Sequence, residues 1–243
     1  MKKSGQKSSC AKCSGYLCYP KIPLGQELPS LEKAPGHCPM RRHPEILAEV
    51  AGEYARPEVR EFARLASVQE GICYELTTEG LRTIISRIEE TMQFAKRCGY
   101  TRLGLAFCTG LREEAGMLSS IFENNGFEVV SVNCKVGRID KEAIGLQAAE
   151  KITPPLIEPI CNPIAQAEII NAEQVDLAVL LGLCVGHDTL FFRYCRVPCT
   201  VLAVKDRLLG HNPLAALYLS KSPYYSRLNM AGSEAPAGKK IRL

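Results

Sequence analysis

No stretch of this chain is apolar for long enough to cross a bilayer. The longest run, Val175 to Val185, has roughly half the length a membrane helix needs and reads as a buried strand. The basic opening residues, Met1 to Ser9, lead into no apolar segment, so no secretory signal is expected and a cytoplasmic location is. An arginine-rich helix and aromatic–basic interleaving are both missing, and the net charge is only +4, which argues against nucleic acid as a partner. Neither a G-x-G-x-x-G nor a G-x-x-x-x-G-K-[ST] loop occurs, which removes the usual support for nucleotide binding. A repeat of fixed period, the mark of a solenoid, is also lacking.

What the chain does have is cysteine: 12 in 243 residues. In a reducing compartment these are metal ligands or catalytic thiols before they are disulfides, and some are simply small core hydrophobes. With 46% hydrophobic residues, the chain has material for one sizeable α/β domain plus a small appended module.

The expected architecture is α/β: a mostly parallel, Rossmann-like sheet with flanking helices, preceded by a helical segment and a small cysteine-rich amino-terminal module. Residues 1–43 carry scattered Gly and Pro with no sustained periodicity and form the module, which needs metal or disulfide to hold it. Residues 44–100 are helical and are expected to pack on the core. One helix starts at Pro44 with Ile46, Leu47 and Val50 on a face, a second at Pro57 with Val59, Phe62, Ala63 and Leu65 inward. A third is predicted from Thr78 to Cys98, ended by Gly99. Residues 101–226 alternate in the parallel α/β manner, with strands over 102–107, 127–132, 176–183 and 200–204. Helices cover 112–124, then start after Asn162-Pro163, at Asp188 as a cap, and after Asn212-Pro213. Residues 135–153 stay unassigned, and 227–243 read as a flexible tail.

Two sets of four cysteines stand out. Cys10, Cys13, Cys18 and Cys38 are local: Cys10-x2-Cys13 is a chelate bite, and thiolates suit zinc and iron–sulfur clusters. The spacing fits neither a paired zinc ribbon nor a bacterial ferredoxin run, although Cys38-Pro39 echoes the ferredoxin ending. His37 and His43 are candidate substitutes for one thiol. The second set, Cys108, Cys134, Cys161 and Cys184, falls where parallel strands end. Open α/β sheets bind ligands at that edge, and right-handed crossovers bring neighbouring strand ends together. Lys135, Lys205, Arg207, His187 and His211 are expected on the same edge, to balance charge or handle a substrate. Packed cysteines, or two redox pairs, remain the alternatives. Cys98, Cys195 and Cys199 read as structural, and Cys73 stays unassigned.

Six stretches together resemble one family. They are Arg87-Ile-Glu-Glu-Thr-Met-Gln-Phe-Ala-Lys, Gly104-Leu-Ala-Phe-Cys-Thr-Gly-Leu, Phe127-Glu-Val-Val-Ser-Val-Asn-Cys-Lys-Val-Gly, Cys161-Asn-Pro-Ile-Ala-Gln-Ala, Gly182-Leu-Cys-Val-Gly-His-Asp and Lys205-Asp-Arg-Leu-Leu-Gly-His-Asn-Pro. The family is a bacterial and archaeal domain of unknown function, described as predicted metal-binding and common in anaerobes. The resemblance implies metal binding and a cytoplasmic home, and puts Cys108, Cys134, Cys161, Cys184 and His187 at motif positions. The chain departs from it at Cys73-Tyr74-Glu75-Leu76, where the family has Gly-Lys-Trp after Cys-Tyr and this sequence has no tryptophan.

The leading expectation is an iron–sulfur protein holding one or two clusters, of 4Fe-4S type. An amino-terminal cluster on Cys10, Cys13, Cys18 and Cys38 relays electrons; a second centre sits on Cys108, Cys134, Cys161 and Cys184. His187 and Lys205 are the candidate catalytic residues of a redox enzyme with a small-molecule substrate and an electron-transfer partner protein; a homodimer is compatible with the sequence. One rival is a zinc protein acting as structural module, sensor or metal carrier. The other is a metal-free thiol enzyme using Cys108 or Cys184 near His187.

Overall fold

The computed structural model describes residues 7–15 and 17–230, in two compact units, the first ending at Gly71 and the second beginning at Ile72. Residues 231–243 of the expected tail lie outside the described residues, and Ser226–Asn229 forms a short 3-10 turn.

The first unit begins with little regular structure: 3-10 turns at Cys10–Lys12 and Leu31–Lys33, then a single helical turn, α1 (Pro39–Arg42). Pro44 and Pro57 each open a helix, α2 (Pro44–Ala55) and α3 (Pro57–Ile72). At a first-turn position the proline's missing N–H removes no helical hydrogen bond. The inward set expected on α3 is not buried: α2 buries no side chain and α3 only Gln69.

In the second unit the helix expected from Thr78 to Cys98 is interrupted. A hairpin runs into its first residues, β1 (Tyr74–Thr77) paired antiparallel with β2 (Gly80–Thr83). Gly80 turns the chain at φ +122°, and the Thr77 hydroxyl donates to the Gly80 carbonyl at 2.8 Å. The helix proper, α4 (Arg87–Arg97), starts only where Ser86 and Glu89 form a reciprocal capping box. Apolar residues at helical spacing were outvoted by a turn-forming Thr-Thr-Glu-Gly and the β-branched pair that follows.

From Arg102 the alternation predicted from sequence is present: β3 (Arg102–Phe107), α5 (Arg112–Asn124), β4 (Glu128–Asn133), α6 (Pro163–Ala172), β5 (Leu177–Leu181), α7 (His187–Tyr194), β6 (Cys199–Ala203) and α8 (Leu214–Tyr218). The four strands form one parallel sheet in the order β4-β3-β5-β6. The chain leaves β3 for β4 on one side, then returns to place β5 on the other. The switch point therefore lies between the carboxyl ends of β3 and β5, where such sheets keep their ligand crevice.

Strand periodicity sorts the core into two faces. Leu103, Leu105 and Phe107 of β3 and Leu177, Val179 and Leu181 of β5 pack with Ala115, Leu118 and Phe122 of α5. The alternate residues, Ala106 and Cys108 after it, Val132 and Cys134, Ala178 and Leu180, pack with Ala167 and Ile170 of α6 and Phe191 of α7. Two predicted caps differ. Gly186, at φ +84°, is the N-cap of α7, while Asp188 lies inside the first turn and accepts from the Thr189 N–H. Asn212 contributes its carbonyl, not its side chain, before α8.

Candidate functional site

Side-chain parity brings the second cysteine set together. Cys108 and Cys134 each extend a strand by one ladder bond, the Cys108 N–H to Leu181 O at 3.1 Å and the Cys134 N–H to Phe107 O at 2.9 Å. Being in phase with Ala106 and Val132, both sulfurs face α6 and α7. Cys161 lies just before α6, held to β4's end because the Asn162 N–H donates to the Cys134 carbonyl at 2.7 Å. Asn162 then caps α6, its side chain accepting from the Ala165 N–H. Cys184 follows β5, and its carbonyl takes the N–H groups of His187 and Asp188 at 3.0 and 3.1 Å, folding the turn into α7.

All four line one cavity of about 460 Å³, with His187, Lys135, Lys205 and Arg207. His211 is not there; its Nδ1 accepts from the Asp206 N–H in the turn after β6. The segment left unassigned supplies Lys141, Ile144, Leu146 and Ile152 of the far wall, and Glu158, just beyond it, completes that wall. Glu158 pairs with Lys141 and caps the Ile152 and Thr153 N–H groups. Its carboxyl is held below the usual range first by that Lys141 bond.

Three of the thiols form a hydrogen-bonded chain. Cys134 stands between Cys108 and Cys161, which push its pKa far up, so it keeps its proton and donates it. That donation, the Gly110 N–H and the Lys205 ammonium bring Cys108 down to about 5. Cys161, bonded to Cys134 and then to His187, falls to about 3, and the same contact raises His187. The Thr109 N–H also points at the Cys134 sulfur, at 3.3 Å. Cys184 stands outside this chain and takes a hydrogen bond from the Arg207 guanidinium at 2.9 Å. His187 thus partners Cys161, not Cys108 or Cys184 as the thiol-enzyme reading had it, and its Nδ1 is buried without a partner. Among the described residues, no three His, Cys, Asp or Glu side chains stand in ligating positions round a single ion.

Gln166 escaped the sequence reading. It is fully buried, and its amide donates to the carbonyls of Phe107 at 3.2 Å and Val132 at 2.7 Å, one from β3 and one from β4. It clamps the strand ends that carry Cys108 and Cys134. A polar residue at an inward position of an apolar helix was the available signal. Gln166→Leu is expected to cost about 0.5–1.5 kcal/mol, since it removes the clamp while both carbonyls keep their strand-to-strand partners. Thermal unfolding followed by circular dichroism checks this.

In the first unit, Cys10, Cys13, Cys18 and Cys38 line a second, smaller cavity of about 60 Å³ with Leu17, Pro35 and Met40 among its walls. Cys38 is buried and Cys10 and Cys18 are exposed. The bite is shaped by the Cys13 N–H bonding to Cys10 O, and the long loop closes where the Ser9 N–H meets His37 O. His43 lies 3.6 Å from Glu45 instead, and neither His37 nor His43 lines the cavity. Cys73 and Cys98 line neither cavity; Cys98 is the C-terminal cap of α4.

Fold and cavities together define a parallel α/β protein with four cysteines at the carboxyl edge of its sheet, preceded by a four-cysteine loop. Residues 38–202 match the family described as Protein of unknown function (DUF1847), and the chain belongs to that family. It is 35% identical over 223 residues, 92% of this chain and 98% of the other, to the uncharacterized protein MJ0455 of Methanocaldococcus jannaschii. Among solved structures it is similar to Dph2 from Pyrococcus horikoshii, crystallised with a 4Fe-4S cluster. That likeness covers 59% of this chain and 33% of Dph2 at 18% identity, with a TM-score of 0.31. No helix among the described residues is long and apolar enough to cross a membrane.

Proposed function

We propose that this chain is an iron–sulfur protein with a 4Fe-4S centre on Cys108, Cys134, Cys161 and Cys184, and a second on Cys10, Cys13, Cys18 and Cys38. The reading rests on one observation above all: four thiols from four separate segments share a cationic cavity of about 460 Å³. The donor set is soft sulfur in the number a cluster takes. A structural zinc closes its four ligands round itself, whereas this cavity has room beside the thiols. Lys205, Arg207 and the backbone N–H of Thr109 already direct positive charge at sulfur, which suits a thiolate-ligated centre of net negative charge. The unpaired Nδ1 of His187 is a further donor or acceptor for whatever enters.

When bound, such a cluster supplies one-electron transfer. This chain's own residues would bind it through sulfur, shed the proton that Cys134 holds, and orient a small molecule with His187 and Lys205. The amino-terminal centre would pass electrons to or from a partner protein. Protein purified without oxygen is expected to be brown, to hold iron with matching acid-labile sulfide, and to bleach with dithionite. Zinc without sulfide would replace this reading with the structural or carrier one.

A second reading is favoured by a specific contact, the Cys161–His187 hydrogen bond. Here Cys161 is a nucleophilic thiolate with an imidazolium partner, and no metal is involved. In metal-free protein, Cys161 is expected to be the first crevice cysteine alkylated by iodoacetamide. His187→Asn is expected to slow that alkylation about tenfold or more, because the thiolate loses its charged partner. Peptide mapping after timed labelling distinguishes the sites; full metal occupancy with no alkylation at Cys161 removes this alternative.

A further inference from the structure

By sequence Cys195 and Cys199 read as packing residues, and neither lines a cavity described above. Their placement is not that of inert core thiols. Cys195 caps the carboxyl end of α7, its N–H bonded to Phe191 O at 2.9 Å, and Cys199 is the first residue of β6, paired with Ala178 of β5. The link between them is only Arg196-Val197-Pro198, and both of its ends are held: the Arg196 N–H by the Asn171 side chain at 2.9 Å, and the Pro198 carbonyl by the Ala178 N–H at 2.9 Å. Both sulfurs turn onto one acceptor, the Val197 carbonyl, at 3.8 Å from Cys195 and 3.2 Å from Cys199. Both residues keep partial exposure, so a small reagent reaches them.

We propose that Cys195 and Cys199 form a dithiol–disulfide site, separate from the proposed metal centres, whose oxidant is a small-molecule disulfide. Two thiols fixed at the ends of a short, proline-stiffened turn need little backbone movement to bond. The two sulfurs also bias each other: beside Cys199 the Cys195 thiol drops to about 7, while Cys199 rises. That marks Cys195 as the attacking sulfur.

In the step itself, the Cys195 thiolate attacks one sulfur of the small disulfide, and the other sulfur leaves as a thiolate. Cys199 then loses its proton and displaces the remaining small thiol. One S–S bond forms between Cys195 and Cys199 and one breaks in the reagent. The two electrons and two protons lost by the dithiol reappear in two small thiols. The product ties the end of α7, which begins at His187, to the start of β6, which leads to Lys205 and Arg207.

The test uses the full chain with its metals, kept without oxygen and equilibrated with oxidised glutathione, then quenched with N-ethylmaleimide and digested with trypsin without reduction. Cleavage after Arg193, Arg196 and Lys205 separates the two cysteines onto different peptides, 194–196 and 197–205. The expected result is a disulfide-linked pair of these peptides, in place of two alkylated ones, and Cys195→Ser protein is expected to give peptide 197–205 alkylated at Cys199. Recovery of both wild-type peptides alkylated overturns the proposal. So does Cys195 carrying glutathione beside an alkylated Cys199, or a link from either cysteine to a third. Iron and sulfide measured on the same sample report separately on the proposed clusters.

Discussion

Cys134→Ser is expected to remove the crevice centre and leave the amino-terminal one, so that iron and acid-labile sulfide per chain fall by roughly half. Cys134 is 1% exposed and is the middle member of the thiol chain, in contact with Cys108 on one side and Cys161 on the other. A serine hydroxyl is a hard, scarcely acidic donor and a poor substitute for a thiolate toward iron. It is close in size, and the Thr109 N–H that now points at sulfur can still find an oxygen, so the fold has little reason to fail. Two companion variants make the result specific. Cys10→Ser is expected to remove the other half of the iron, and Cys98→Ala, at the cap of α4, to remove none. Metal and sulfide analysis, with the dithionite-bleached absorbance, reads all three. A full complement in Cys134→Ser protein, still folded by circular dichroism, would overturn the crevice assignment.

That experiment depends on a convergence which the sequence shows only in part. The strand end at Phe107 was readable from its apolar run, whereas the run through Leu183 placed the end of β5 two residues beyond Leu181, where Gly182 stops it. The parallel order followed from their alternation with helices. Parity was readable too, since Cys108 and Cys134 continue the alternate, α6-facing series. Which sulfur meets which partner was not, because that is decided by the relative advance of neighbouring strands and by single bonds such as Asn162 N–H to Cys134 O. Hence His187 was placed near Cys108 or Cys184, and the structure joins it to Cys161.

Most of the wall, residues 139–153, was unreadable for a different reason. It has almost no periodic structure and is held by charge pairs between distant positions. Lys151, only 4% exposed at its side chain, meets Glu142 at 2.6 Å and Asp140 at 3.6 Å, and Glu158 reaches back to Lys141. Hydrophobic spacing carries no trace of such contacts. The hairpin before α4 shows the opposite error, a helical spacing of apolar residues read without weighing the Thr77-to-Gly80 turn that breaks it.

Gly182→Ala is expected to be the most destabilising single-methyl change in the second unit. Gly182 follows β5 with φ +66°, and a Cβ built there would lie 2.1 Å from Leu111 Cδ1. Leu111 is 4% exposed, so it has no free space into which to swing. A positive φ on a residue with a side chain costs about 1–2 kcal/mol, and overpacking a filled core about 1–3 kcal/mol more, giving about 2–5 kcal/mol together. For a domain of this size that is a fall on the order of 10 °C in Tm. The damage reaches the crevice through a short path. The Leu111 N–H bonds to Cys108 O at 2.8 Å, and the Gly182 N–H to Ala203 O at 2.7 Å, so displacing either residue moves a turn that carries a crevice thiol or Lys205. Bound iron is therefore expected to fall along with Tm. Gly186→Ala separates the two costs: φ there is +84°, but nothing lies within 4 Å of the added carbon. It is expected to lose only the conformational part, about 1–2 kcal/mol. Gly116→Ala, in the exposed middle of α5 with nothing nearby, is expected to be neutral or to stabilise by about 0.4–1 kcal/mol. Thermal melts of the three variants should rank 182 below 186 below 116. Equal losses at 182 and 186 would mean that Leu111 yields freely and that the core beneath the crevice is looser than its packing indicates.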